Sequence, residues 1–132
     1  MKTLPLRLHP GDDLRAALDA ALAGSGAQAA FVVCGIGSLR EARLRLAGRE
    51  ELRHVSGDLE ILTLSGTLGT GGSHLHAGLS DADGHVFGGH VAAGCIVRTT
   101  AEVLLAVLDD VRFAREPDAI TGYLELAIRP RT

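Results

Sequence analysis

The chain has 132 residues, enough for one domain with a real core, and that core must be aliphatic because 46% of the residues are hydrophobic but only 3% are aromatic. A net charge of −3, no Trp and a single Tyr exclude a globally basic nucleic-acid surface and an aromatic platform for stacking bases, though not a local basic patch. There is no signal peptide and no apolar run of membrane-spanning length, so a cytoplasmic location is expected.

Thr3 to His9 alternates, with Leu4, Leu6 and Leu8 on one face, and reads as a strand that Pro10 and Gly11 end. Asp12 or Asp13 can cap the helix that follows, whose apolar stripe is Leu14, Ala17, Leu18, Ala21 and Leu22. Gly24 to Gly26 stops it. Ala29 to Cys34 is a continuous apolar run, expected to be a strand covered on both faces. Gly35 to Ser38 reads as a tight turn, without the glycine pattern or the Lys of a phosphate loop. Leu39 to Ala47 is a half-exposed strand, with Ala42, Leu44 and Leu46 on one face and Arg43 and Arg45 on the other. Cys34 and Cys95 lie in apolar runs and read as buried reduced thiols.

Glu50 to Ser56 is polar, a loop or a short edge strand, with His54 an ordinary surface histidine. Asp58 to Leu68 is a strand with apolar residues at both parities, which calls for cover on two sides, the second from another subunit in so small a chain. Gly69 to Gly72 leads into a β-hairpin. Ser73 to Ser80 is one arm, Asp81 to Gly84 the turn signal, and His85 to Val91 the return arm. A three-residue loop of Ala82, Asp83 and Gly84 sets Asp81 opposite His85, and counting back sets His76 opposite His90. Side chains alternate along a strand, so His74, His76 and His90 share a face while His85 takes the other. Three imidazoles with an open fourth position are a common catalytic zinc arrangement, so a divalent metal, zinc first, is the expected cofactor; a metal-free polar face is the alternative. Gly88 and Gly89 bear on the register: they can hold a bulge, or let another backbone, a ligand or a second subunit approach closely.

Beyond the hairpin, Gly94 to Leu108 suits either a capped helix or a long buried strand, and the lack of a polar face favours the strand. Phe113 to Pro117 is polar and irregular. Thr121 to Ile128 alternates as a closing strand, which Pro130 ends. There is no internal repeat or linker, so residues 1–132 form a single domain.

The chain resembles the PPC domain family, conserved in plants and prokaryotes, in its stand-alone prokaryotic form. The resemblance rests on Gly35-Ile-Gly-Ser38, Gly57 to Gly66, His74-Leu-His76, Asp83-Gly84, Gly88-Gly-His90, Gly94 to Glu102 and Thr121 to Glu125. It implies an α+β fold, mainly antiparallel sheet with one or two helices, similar to that of the metal-dependent acetolactate decarboxylase. It also implies a homotrimer, with zinc held by His74, His76 and His90. Three functions follow. The first is a nucleoid or regulatory protein whose DNA contacts would come from Arg40, Arg43, Arg45, Arg49 and Arg53; the Arg-Gly-Arg-Pro core of an AT-hook is missing from the sequence. The second is an enzyme acting on a small carbonyl or carboxylate compound at the metal. Glu102 and Arg98 are its catalytic candidates by motif, with an ion pair between them as the alternative. The third is a scaffold whose metal is structural.

Overall fold

The computed structural model describes residues 1–132 as an α+β structure. Strand β1 (Lys2–Leu8) leads to helix α1 (Leu14–Ser25), followed by β2 (Ala29–Arg45), β3 (Leu52–Gly69), β4 (His74–Ser80), β5 (Val86–Val91) and β6 (Ile96–Val107). A two-stranded antiparallel ribbon, β7 (Val111–Pro117) with β8 (Leu124–Pro130), completes the chain. The only helix has 12 residues, and no helix is long and apolar enough to cross a membrane. Its start and stop follow the expected local chemistry. The Asp13 carboxylate accepts from the Ala16 N–H at 3.0 Å, and Gly26 ends the helix in the left-handed region. Leu14, Leu18 and Leu22 form its buried stripe.

The main sheet is antiparallel in the order β1-β6-β2-β3-β4-β5. It does not stay open. The last two residues of β2 also pair with β5, Leu44 with Val91 and Arg45 with His90, so β2, β3, β4 and β5 close into a ring at that end. Leu39, Leu44, Leu59, Ile61, Leu64, Leu68, Leu75 and Leu79 fill the interior beside the α1 leucines. The aliphatic core that the composition demanded is thus built from both ring and helix.

Four expectations need correction. Gly35 to Ser38 is no turn, because β2 runs unbroken through it. Its register with β6 shifts on either side, between Val32 and Cys34 and between Gly37 and Leu39, so the glycines mark bulges in a bent strand. Within a single chain, Ala29 to Cys34 is covered on one face only: Phe31, Val33 and Cys34 are exposed, so of the two thiols only Cys95 is buried there. The two apolar parities of β3 do not both demand cover within the chain. A bulge against β4 at Leu62 switches which parity points inward, so Leu59 and Ile61 are buried before it and Leu64 and Leu68 after it. Finally, Phe113 to Pro117 is regular strand; of the two readings for Glu50 to Ser56, the strand holds from Leu52 onward. Leu52 to Ser56 extend β3 against the end of β2, and β7 pairs along its length with β8. The strand reading of Gly94 to Leu108 holds as β6.

Close backbone contacts fix this geometry at glycines. Gly66 sits at φ +144°, and a Cβ there would lie 2.1 Å from the His74 carbonyl oxygen. Replacing it with alanine therefore combines backbone strain with a collision, and core overpacking costs typically 1–3 kcal/mol. Gly66→Ala is expected to lower the urea midpoint with an unchanged denaturant slope; a midpoint equal to that of the wild type would contradict the contact.

Candidate metal centre

The hairpin that carries the histidines is fixed by its own turn. The Asp81 carboxylate accepts from the backbone N–H groups of Asp83 and His85, both at 2.9 Å, and the Gly84 N–H reaches the Asp81 carbonyl at 3.1 Å. Gly84 takes the left-handed conformation at φ +83°. The register that follows pairs Ser80 with Val86, Leu79 with Phe87 and His76 with His90 without a break. Of the two roles considered for Gly88 and Gly89, the structure shows close approach and not a bulge. A Cβ on Gly89 would meet the Arg45 carbonyl oxygen at 2.9 Å, and one on Gly88 the Ala77 carbonyl at 2.4 Å. Gly89 therefore lets the end of β2 close on β5.

On β4, Leu75, Ala77 and Leu79 point into the core, which turns His74 and His76 outward. His90 joins them from β5, where its neighbour Val91 is buried. The rings of His74 and His90 stack with centroids 4.8 Å apart, and the His76 ring stands edge-on to both, at 4.9 and 4.4 Å. One donor nitrogen from each of the three lies within 4.8 Å of the others. The Nε2 atoms of His74 and His76 are 3.2 Å apart. Two nitrogens bound to one tetrahedral zinc at ordinary bond lengths would sit about 3.3 Å apart, so this pair already has the spacing a shared cation requires. The donor set is all imidazole, which suits zinc and the later first-row metals.

The histidines floor an open cleft of about 720 Å³. Arg15 from α1, Arg45 from β2, and Arg115, Tyr123 and Glu125 from the β7–β8 ribbon and its connecting turn line the rest of its polar surface with Ser73. Desolvation, followed by the nearby Arg45 guanidinium and the other two imidazoles, pushes the His90 ring down to about 4. Desolvation and the Arg115 charge lower His74 as well. Both rings are thereby kept neutral, the form that binds a metal.

The structure does not bring the motif-derived catalytic candidates here. Arg98 is exposed on β6 and pairs with Asp58 at 2.9 Å, not with Glu102. Glu102 is exposed, opposite Arg7 on one side and Ile36 on the other. Neither lines the cleft, whose one acidic residue is Glu125. Of the arginines considered for DNA, Arg45 faces the cleft and Arg53 lies over the Phe87 ring at 5.4 Å, while Arg40, Arg43 and Arg49 are exposed. His54 is a surface histidine bonded to Glu41 at 3.0 Å. Asp81, Asp83 and His85 also group closely, but Asp81 is engaged in the turn. What sequence reasoning missed is the arginine ring. Arg45 reaches the histidines only through the β2–β5 closure, and Arg115 lies in a segment read as irregular.

Comparison with known proteins decides the family. The profile of the plants and prokaryotes conserved (PCC) domain matches residues 1–109. The chain belongs to this family. The PCC profile stops before β7, so Thr121 to Glu125, counted in the resemblance, lies beyond it. A structure from Salmonella cholerae-suis, described as a hypothetical protein, is 40% identical and superposes with a TM-score of 0.95, covering 99% of this chain and 95% of its own. A metal-containing protein from Archaeoglobus fulgidus is 29% identical with a TM-score of 0.80, covering 96% and 94%. The bifunctional protein GlmU of a Synechococcus strain is 48% identical over 98% of this chain. The match spans only 21% of GlmU, so the chain corresponds to about a fifth of the curated relatives it resembles.

The depressed His90 value sets a pH dependence. The ring takes up protons more readily in the unfolded chain, near its ordinary 6.5, than in the folded one, near 4. The stability it contributes is therefore complete above pH about 6.5 and is lost as the pH falls towards about 4. Metal-free protein should show a urea midpoint that declines across that interval, and His90→Gln should flatten the decline; parallel profiles for the two would contradict the assignment.

Proposed function

We propose that this PCC domain binds one divalent cation, zinc by its donor chemistry, through His74, His76 and His90, and does so as a homotrimer. The observation that carries the reading is the convergence of three imidazole donors within 4.8 Å on the outer face of a closed ring. The description of the Archaeoglobus fulgidus neighbour as metal-containing supports it. Three protein ligands leave a tetrahedral ion one open position, and a zinc there would polarise a carbonyl or lower the pKa of bound water to about 7. The trimer is supported by apolar residues that a single chain leaves in water: Val33 is 56% exposed and Ile36 55%, with Phe31 and Leu62 also exposed.

One observation favours a catalytic over a purely structural ion. The histidines open into a cleft large enough for a small molecule, and Glu125 stands in it as a candidate proton carrier. On this second reading the domain is a metal-dependent lyase or hydrolase for a small carbonyl or carboxylate compound, with Glu125 in the place first considered for Glu102. The DNA-contacting reading gains less from this chain, since its arginines are divided between the cleft, the Phe87 ring and open surface.

Protein purified without chelator is expected to carry close to one equivalent of metal per chain by elemental analysis, and His76→Ala much less. Sedimentation equilibrium should give three times the 13.7 kDa of one chain. Equal, negligible metal in both preparations would sink the metal site, and a monomer at micromolar concentration would sink the trimer.

A further inference from the structure

The histidine cleft carries more positive charge than its surroundings explain. Arg15, Arg45 and Arg115 line it from three different elements, and all three are half-buried. In a chain with 16 acidic residues and a net charge of −3, none of the three makes an ion pair. Arg15 donates only to the Val91 carbonyl at 3.4 Å, and Arg115 to the Leu124 carbonyl at 2.8 Å. These bonds orient the forks without neutralising them. Arg115 is further held by close packing on Gly71, where a Cβ would come within 2.9 Å of its backbone nitrogen. Glu125 is the one acidic residue lining the cleft, and its Oε1 accepts from the Thr121 hydroxyl at 3.0 Å.

Partly desolvated guanidiniums without counter-charges are costly unless something pairs with them. Neutral imidazoles bring no negative charge to offset them. A planar guanidinium matches the two oxygens of a carboxylate or phosphate, which is the usual reason to place Arg at such a position. The cleft volume is within the range of small-molecule sites. We infer that the cleft is a receptor for a small molecule bearing a carboxylate or phosphate group, gripped by Arg15, Arg45 and Arg115 beside the three histidines. The inference builds on the metal reading above but does not need the ion to be present, because the arginines are in place without it. Arg115 belongs to the ribbon beyond the family profile, so this chain's own C-terminal segment shapes what the site accepts.

Isothermal titration of zinc-loaded protein with inorganic phosphate, with malonate and with glycerol tests this. Phosphate or malonate should bind and glycerol should not, and whichever oxyanion binds tighter identifies the source chemistry. Arg45→Met and Arg115→Met should each weaken oxyanion binding roughly tenfold or more, the worth of one charge-assisted hydrogen bond, with zinc content unchanged. Arg98→Met, on exposed β6, should leave it unaltered. Arg45→Lys keeps the charge but loses the fork, and an intermediate loss is expected. The titration is repeated on His76→Ala, where the arginines persist: retained, weaker oxyanion binding there upholds the receptor even if elemental analysis finds no metal in the wild type. No oxyanion binding at millimolar concentration in either protein, or equal binding by wild type and the Arg→Met variants, would overturn it.

Discussion

Two residue pairs at the end of β2, Leu44 with Val91 and Arg45 with His90, close the sheet on itself. The rest of the site depends on that closure. It seals the leucine interior, so that alternate residues of β4 and β5 are forced outward, and it sets an arginine beside an imidazole that the hairpin alone would leave in water. Such an approach is possible because Gly89 has no side chain to hold the strands apart. Backbone packing, rather than any attraction between the functional groups, is what assembles them. Arg45 and His90 repel when both are charged, and burial resolves this by keeping the imidazole neutral.

That division between local and distant causes explains what could be read in the sequence. The hairpin was legible because its register is written within five residues: the Asp81 carboxylate, two backbone N–H groups and a left-handed Gly84. From there the alternation of a strand carries His76 to His90 with no further information. The helix was legible for the same reason, since Asp13 and Gly26 cap it locally. The bulges in β2 and β3 were not, because a pattern of apolar residues at both parities is the same whether a strand is buried twice or switches faces once. The polar ribbon of β7 and β8 was read as partly irregular because its packing needs little apolar pattern. Phe113 is its buried anchor, edge-on to Phe31 at 5.4 Å and bonded through its backbone to Gln28 and Thr70. Arg98 and Glu102 were placed by likeness of motif alone, and β6 presents both to solvent.

The cleft therefore has a floor and a wall of different character. The floor is the closed ring, which lies within the part of the chain that the family profile covers. The wall is the C-terminal ribbon, which forms its own two-stranded sheet and contributes Arg115, Tyr123 and Glu125. The imidazoles and the ribbon's Arg115, Tyr123 and Glu125 thus sit on separable pieces of structure, while Arg45 belongs to the ring itself. One fold can in this way keep the same cluster of imidazoles while changing what approaches it.

The self-contained turn at Asp81 also bears on the order in which the molecule comes together. All three imidazoles fall within 17 residues of chain, from His74 to His90, and a tight hairpin of this kind zips in microseconds. Bringing Arg45 to His90 spans a far longer stretch, and Arg115 must wait for the ribbon to dock. Loop entropy thus favours nascent chains in which the donors have met before their cationic surroundings arrive. An ion captured at that moment would meet the ligands without the repulsion that the finished cleft imposes.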